Sequence, residues 1–267
     1  MDNKEIREFI HTVFEGYKNR KTKKQLYDID SHIPENIIRA YYSYTDKISF
    51  NEIVKNFKQK YIYNESRVER NITMEEQAGL SEVYDYINNF NFNEEKFNIF
   101  VQSLCIHQKL YSTCNDTSFG GKVRDSEVFL YDSSVEVLPP KDAIKFFQKF
   151  LGDSDKIMKE LGDKDIFEYI NDCVKITTEL IKAQPFSDGN KRTFRALLNL
   201  LFKSRGLPPV YIEVNEREEY KDALLKAMIN NDYSSLNKFY YYKVCDSIYE
   251  LDIEPTIKKE KTIKSLN

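Results

Sequence analysis

The sequence predicts a mostly α-helical protein that carries one small β-hairpin. Apolar residues recur at helical spacing along most of its 267 residues. Only 8 glycines and 7 prolines are present, which is few for a protein built from many short strands and tight turns. Hydrophobic residues make up 41% of the chain, enough to build a core for one large domain or a core domain with a smaller appended one.

Residues 1–90 are predicted to form a helical N-terminal extension. Short apolar runs at helical spacing, such as Ile6, Phe9 and Ile10, indicate its helices. Pro34 stands where a helix begins, because a proline in the first turn lacks only an N–H that would have no partner there.

Residues 91–250 carry the stronger pattern and are predicted to form the core. An apolar stripe from Phe97 to Tyr111 indicates one long helix. Further helices are predicted at about 141–151, 166–181, 192–203, 216–230 and 235–250. The polar residues 251–267 are predicted to be a tail.

A hairpin is predicted between the first two of these core helices. Valine and leucine alternate with other residues around the turn Tyr131–Ser134, at Val128, Leu130, Val135 and Val137. Pro139 and Pro140 follow and end the second strand.

Composition and charge exclude several classes of protein. The net charge is −3, and 40 Lys and Arg residues are interleaved with 43 Asp and Glu, so no basic face for a nucleic acid is expected. The 4 cysteines lack the spacing of a zinc site or a disulfide framework. Neither a signal peptide nor a run of about 18 apolar residues is found. We expect a cytoplasmic protein with no nucleic-acid partner and no membrane partner.

The segment 184–195 reads Gln-Pro-Phe-Ser-Asp-Gly-Asn-Lys-Arg-Thr-Phe-Arg and joins two predicted helices. A glycine at a helix N-terminus lets backbone N–H groups approach an anion, and the helix dipole favours phosphate there. Arg192 and Arg195 share the first turn, where cations oppose the dipole, so they suit a polyanionic ligand better than the helix itself. Asp188 is placed to hold a Mg²⁺ ion shared with phosphate oxygens. The alternative is an ordinary turn with surface arginines.

This segment resembles the motif of the Fic family, His-x-Phe-x-Asp/Glu-Gly-Asn-Gly-Arg-x-x-Arg. Lys191 takes the place of a glycine, as in Doc-like relatives. The resemblance implies a Fic-like helical core that binds ATP and Mg²⁺, with the metal on Asp188. The motif positions that match are Phe186, Asp188, Gly189, Asn190, Arg192 and Arg195. The residues implied to bind the nucleotide are Gly189, Asn190, Lys191, Arg192 and Arg195.

Gln184 stands where the family has its catalytic histidine. The resemblance implies that this histidine takes the proton of a target Ser, Thr or Tyr hydroxyl as that hydroxyl attacks the α-phosphorus of ATP. A glutamine amide does not accept such a proton at ordinary pH, and general-base help contributes roughly a hundred- to ten-thousand-fold to a rate. The only histidines are His11, His32 and His107, all outside the motif, and His107 is expected to be a core or capping histidine.

Two further stretches resemble the family. Residues 106–110 and 121–124 are similar to its first core helix and to the start of a flap hairpin, on which a protein target docks as an added strand. Residues 65–71 resemble its inhibitory helix, Ser/Thr-x-x-x-Glu-Gly/Asn, with Glu65 and Arg70 replacing the usual Ser/Thr and Gly. The resemblance implies that Glu69 pairs with Arg195 and blocks the γ-phosphate. An ordinary charged helix face is the alternative.

We therefore expect an adenylyltransferase that transfers AMP from ATP to a protein hydroxyl and is impaired by Gln184. Two alternatives stay open. One is a degenerate Fic domain that binds a nucleotide for regulation, and the other is a Doc-like toxin that transfers phosphate. Self-association of the chain also stays open.

Overall fold

The structure is a computed structural model that describes residues 35, 38–39, 55–70, 72–130 and 134–250. Most of the predicted N-terminal helices and the predicted tail at 251–267 lie outside these residues. The described helices are α1 (Lys55–Glu65), α2 (Met74–Asn89), α3 (Ile99–Leu110), α4 (Pro140–Gly162), α5 (Ile166–Ala183), α6 (Asn190–Ser204), α7 (Arg217–Asn230) and α8 (Ser234–Glu250). The mostly helical class is confirmed.

Helix α6 is the central helix of the described structure. It packs against α5, α3 and α2 and is buried along almost its whole length. Phe194, Leu197 and Leu201 are completely buried in its middle. A helix with apolar contacts on several faces belongs inside a bundle. Its N-terminus, and the loop 184–189 that leads into it, are therefore fixed by the core.

The C-terminal end of helix α2 is bonded to α6. The Lys203 ammonium of α6 donates hydrogen bonds to the carbonyls of Ile87, Asn88 and Phe90, which have no partner within the ending helix. At its other end, α2 begins with a capping box, in which Thr73 and Glu76 each accept a hydrogen bond from the other's backbone N–H. The capping box holds the Glu76 carboxylate close to α6.

Helix α4 is longer than the predicted 141–151. Its buried face continues past Leu151 through Ser154 to Leu161. Ser154 interrupts the apolar pattern, yet it is buried because its hydroxyl accepts a hydrogen bond from the backbone N–H of Ile99 at 2.8 Å. A polar residue that packs inside therefore hid the second half of the helix from sequence analysis.

The predicted hairpin is not seen. In the described residues 122–130 and 134–139 no strand is present, and residues 131–133 of the predicted turn Tyr131–Ser134 lie outside the described residues. One carbonyl from each arm, at Ser126 and Leu138, accepts a hydrogen bond from the guanidinium of Arg124. The side chain of Arg124 thus holds the base of this segment, which we call the flap segment (residues 122–130 and 134–139).

No described helix combines the length and the apolar character needed to cross a membrane.

Candidate functional site

The loop 184–189 turns sharply between α5 and α6 through two left-handed residues. Gln184 ends α5 with a φ of 49°, and Gly189 precedes α6 with a φ of 73°. A Cβ atom on Gly189 would lie 2.6 Å from the Tyr111 hydroxyl, so both its backbone conformation and its surroundings require glycine. The loop geometry therefore requires glycine at position 189, and its predicted part in nucleotide binding stays a prediction.

The side chain of Asn190 bonds within the loop. Its Nδ2 donates to the Gln184 Oε1 at 2.9 Å and to the Phe186 carbonyl at 2.8 Å, and its Oδ1 accepts from the Phe186 N–H at 2.9 Å. The Gln184 amide completes this network by donating to the Ile181 carbonyl at 2.5 Å. Asn190 therefore shapes the loop, and the polar atoms of Gln184 point into it.

His107 supports the loop from below and is completely buried. Its ring stacks on Phe186 with centroids 3.9 Å apart. Nδ1 accepts the Gly121 N–H at 2.8 Å, so the proton of the neutral ring is on Nε2, 3.0 Å from the Asp188 carbonyl. Burial lowers the pKa of His107 to about 4 despite the neighbouring Asp188 carbonyl. His107 is thus a neutral core histidine that holds the loop in place.

Arg192 lies at the start of α6 and is almost fully buried. It donates to the Glu76 Oε1 at 2.8 Å and to the Tyr111 hydroxyl at 3.0 Å, and lies 3.5 Å from the Asp188 Oδ2. Burial alone would raise the pKa of Glu76. Hydrogen bonds from the Thr73 N–H, Arg192 and Arg70 instead lower this pKa to about 2. The hydrogen bonds to Glu76 and Tyr111 thereby fix the orientation of the Arg192 guanidinium.

Arg195 is buried behind two carboxylates. Its Nε donates to the Glu65 Oε2 at 2.8 Å, and its Nη1 donates to the Glu69 Oε1 at 2.6 Å. Burial alone would lower the pKa of Arg195, but Glu65 and Glu69 hold it well above the ordinary value. Arg195 does not line the cavity described below, because Glu69 covers it.

The predicted contact between Glu69 and Arg195 is present, but the predicted helix around it is not. Helix α1 ends at Glu65, and residues 66–70 are turns and bends. Glu69 also accepts a hydrogen bond from the Lys191 Nζ at 2.8 Å. Burial would raise the pKa of the Glu69 carboxyl, but Arg195 and Lys191 lower it below its usual value. We call residues 65–70 the capping segment, because it covers the motif.

Asp188 presents a carboxylate that is 55% exposed. Its Oδ1 accepts the Gly189 N–H at 2.6 Å, and its Oδ2 lies 3.1 Å from the Arg70 Nη2. One carboxylate with room for phosphate and water oxygens is the kind of donor set that Mg²⁺ takes in nucleotide sites. Asp188 therefore has the chemistry of a Mg²⁺ ligand, although a guanidinium approaches it here.

A cavity of about 610 Å³ opens in front of the loop. Its lining combines charged residues, which we call the charged side, with apolar residues, which we call the apolar side. The charged side includes Glu69, Arg70, Asp188, Lys191, Arg192, Arg217 and Lys221. The apolar side includes Val128, Leu130, Val135, Leu224, Leu225 and Met228. More cations than carboxylates line the charged side, so the cavity suits an anionic ligand that also carries an apolar part.

Arg124 was missed as a site residue by sequence analysis. It is 3% exposed, and its Nε donates to the Gln184 carbonyl at 2.5 Å while its N–H donates to the Pro185 carbonyl at 2.9 Å. Together with its bonds to both arms of the flap segment, these contacts tie the flap segment to the loop. Arg124 is a positioning residue for the apolar side of the cavity.

The other missed residues are the carboxylates that hold the motif arginines. Glu65 and Glu76 lie 130 and 116 residues before their partners in the chain, Arg195 and Arg192. The capping box at Thr73 was a local signal that would have placed Glu76 at a helix start. No local pattern indicated what either carboxylate contacts.

Residues 100–202 match the Fic/DOC family. This range includes almost all of α3, the flap segment, the loop and most of α6. The chain is 28% identical over 153 residues to Protein adenylyltransferase Fic of Nematostella vectensis, covering 57% of this chain and 34% of that protein. It is 29% identical over 154 residues to the protein of the same name in Aedes aegypti, covering 56% and 28%. The chain thus spans about a third or less of the length of these curated relatives.

Solved structures of similar fold agree with this match. Fic-1 from Caenorhabditis elegans superposes with a TM-score of 0.65 at 20% identity, covering 91% of this chain and 76% of that one. A Fic domain containing signaling protein from Bacteroides thetaiotaomicron gives 0.60 at 15% identity, covering 91% and 93%. At these identities the likeness shows the fold. The chain therefore has the fold of these structures, and residues 100–202, which match the Fic/DOC family, include the motif loop at the start of the central helix.

Proposed function

We propose that this chain is a Fic-type protein adenylyltransferase that transfers AMP from ATP to a Ser, Thr or Tyr hydroxyl of a protein. The observation that carries the proposal is the cavity in front of α6. It combines a helix N-terminus, the cations Lys191 and Arg192 and the carboxylate Asp188 with an apolar wall. A nucleoside triphosphate has the matching parts, a polyanion joined to a flat apolar base.

The phosphates are proposed to bind at the start of α6. Lys191 and Arg192 line the cavity and offer cationic donors to phosphate oxygens. Asn190 contributes indirectly, since its bonds keep the loop around Gly189 in shape. Asp188 would hold Mg²⁺, whose chemistry is to neutralise charge on phosphate oxygens. The base would lie against the apolar side, at Val128, Leu130 and Leu224.

In the proposed reaction, the target hydroxyl oxygen forms a bond to the α-phosphorus. The bond from that phosphorus to the bridging oxygen breaks, and pyrophosphate leaves with its electron pair. The hydroxyl proton must be lost in the same process. Gln184 cannot take it, and its amide is already bonded to Ile181 and Asn190. The proton then passes to solvent or to phosphate oxygens, so we expect slow transfer that relies on charge and alignment.

Glu69 is proposed to inhibit the site. Its carboxylate bridges Arg195 and Lys191, the two cations that a terminal phosphate would otherwise meet. Nucleotide and carboxylate then compete for the same donors. The capping segment would have to shift before ATP binds fully.

The protein target is proposed to dock along the flap segment. Phe129 lies there at the rim of the cavity and is 91% exposed, which leaves an aromatic ring available to a partner next to the reacting phosphate.

The inward orientation of Gln184 favours a second candidate, a nucleotide-binding regulatory module without transfer. Incubation of the protein with α-labelled or γ-labelled ATP and Mg²⁺ separates the candidates. Protein label from α-labelled ATP alone indicates AMP transfer, and label from γ-labelled ATP indicates Doc-like phosphate transfer. Nucleotide binding by calorimetry with no protein label supports the regulatory module.

A further inference from the structure

We propose that Arg70 occupies the place of a divalent cation on Asp188, next to Glu69, which is already proposed to take the place of a phosphate. The inference rests on the proposed function and concerns the regulation of the same site. The carboxylate of Glu69 contacts the motif cation Arg195, and the guanidinium of the next residue, Arg70, contacts the motif carboxylate Asp188.

Glu69 imitates the anion. One of its oxygens accepts from Arg195 at 2.6 Å and the other accepts from Lys191 at 2.8 Å. A carboxylate that bridges two cations occupies them in the way a phosphate oxygen pair does.

Arg70 imitates the cation. Its Nη2 lies 3.1 Å from the Asp188 Oδ2, the oxygen that points away from the loop backbone. Its two terminal nitrogens also bond to Glu76, at 2.8 and 3.2 Å. Glu76 is itself buried and fixed by the capping box, so Arg70 is held over Asp188.

The charges around Asp188 are balanced while Arg70 is present. Two carboxylates, Asp188 and Glu76, face two guanidiniums, Arg70 and Arg192. A divalent cation that enters this cluster meets no net attraction and is repelled by the nearby guanidiniums. Withdrawal of Arg70 leaves the cluster with a net negative charge and removes the nearer of the two guanidiniums from the Asp188 Oδ2.

The contact is suited to exchange. The side chains of Arg70 and Asp188 are 50% and 55% exposed, so water screens the pair and it holds weakly. Arg70 stands where the motif that this segment resembles has a glycine or an asparagine, neither of which would offer a cation to Asp188. The cation that contacts Asp188 therefore comes from a position at which this chain differs from the motif.

The test is Mn²⁺ binding without nucleotide, measured from the electron paramagnetic resonance signal of free Mn²⁺. Arg70→Ala is compared with Arg67→Ala, which removes the same charge from the same segment. The Arg67 guanidinium donates to the Tyr63 carbonyl and the Ser66 hydroxyl rather than to Asp188, so it serves as the control. We expect Arg70→Ala to bind Mn²⁺ about three- to tenfold more tightly than the parent and the Arg67→Ala control. Adding Asp188→Asn to Arg70→Ala should remove the gain.

Arg70→Gln provides a second variant that keeps most of the side chain and loses the charge, and it should show the same gain. Equal Mn²⁺ affinity of the Arg70 variants and the Arg67 control overturns the proposal, as does a gain that persists with Asp188→Asn. Failure to detect Mn²⁺ binding by either Arg70 variant also overturns it. The readout needs no chemistry, so a failure of AMP transfer in these proteins bears on the proposed function alone.

Discussion

Arg195 is held by two carboxylates that differ in their access to the cavity. Glu65 is almost fully buried, whereas Glu69 lines the cavity and also contacts Lys191. We therefore expect Glu65 to act as the permanent counter-ion of Arg195 and Glu69 as the partner that a ligand displaces. This difference separates the effects expected from removing each one.

Glu69→Gly is expected to raise the affinity for ATP about tenfold. It frees charge-assisted donors on Arg195 and Lys191, each such bond being worth roughly 1.5 to 3 kcal/mol, while Glu65 continues to neutralise part of Arg195. Isothermal titration calorimetry with Mg²⁺ and ATP measures the change. Glu94→Gly, at an exposed carboxylate outside the cavity lining, is the matched control. Equal affinities of the two variants would show that Glu69 does not compete with the nucleotide.

Glu65→Gln is expected to lower the free energy of unfolding by about 3 to 5 kcal/mol, because it breaks a buried ion pair and leaves the guanidinium of Arg195 partly uncompensated. Chemical denaturation compares it with Glu69→Gln, which should lose less because its carboxylate is more accessible to water. A loss below 1 kcal/mol for Glu65→Gln would contradict the role of Glu65 as permanent counter-ion.

His107 is expected to make stability depend on pH between about 6.5 and 4. Its pKa is about 4 in the folded protein and about 6.5 in the unfolded chain, so the unfolded state binds more protons in this range. Stability is therefore full above pH 6.5 and falls as the pH drops, by roughly 3 kcal/mol at pH 4 and below. Denaturation of the parent and of His107→Gln at several pH values isolates this contribution. Parallel pH profiles would mean that His107 titrates normally in the fold.

At the scale of elements, the loop and the flap segment are joined through Arg124. Its guanidinium bonds to the Gln184 carbonyl and to one carbonyl on each arm of the flap segment. The apolar side of the cavity includes Val128, Leu130 and Val135 from these arms. The position of that wall relative to the start of α6 therefore depends on Arg124.

Arg124→Met is expected to weaken ATP binding about tenfold while tripolyphosphate binding changes less than twofold. The phosphate donors on α6 stay in place, but the wall proposed to hold the base loses its anchor. Fluorescence titration measures both ligands, and Arg124→Lys should restore part of the ATP affinity. Equal losses for ATP and tripolyphosphate would indicate that Arg124 supports the loop alone.

The helical elements were largely predictable because their signals are local. Pro185, Gly189 and the apolar spacing from Phe194 onward placed the loop and α6 to within two residues. The flap segment was predicted as a hairpin from alternating valines, but carbonyls of its arms bond to a side chain, an arrangement that alternation does not reveal. The second half of α4 was missed because Ser154 is polar and nevertheless buried.

At the scale of the whole molecule, the site is assembled from segments far apart in the chain. The motif loop was recognisable, and so was the pairing of Glu69 with Arg195. The roles of Glu65, Arg70 and Glu76 were not, because their partners lie more than a hundred residues away. Such contacts depend on how α1 and α2 pack on α6, and this packing could not be predicted from local patterns in a single sequence.

The capping segment covers the start of α6. Glu69 bonds to Arg195 and Lys191, and Arg217 of α7 donates a hydrogen bond to the Glu69 carbonyl at 2.8 Å. In the proposed function, AMP transfer is therefore limited twice, by Glu69 at the phosphate site and by Gln184. A direct test must relieve both limits.

AMP transfer at the start of α6 can be measured in the double variant Glu69→Gly, Gln184→His. We expect α-labelled ATP to label protein in this variant at least about a hundredfold faster than in Glu69→Gly alone, as general-base help would provide. Label from γ-labelled ATP should be absent, and a further Arg192→Ala change should abolish the α-label. Label from the γ-phosphate, or a double variant that binds ATP and transfers no label, would rule out AMP transfer at this site.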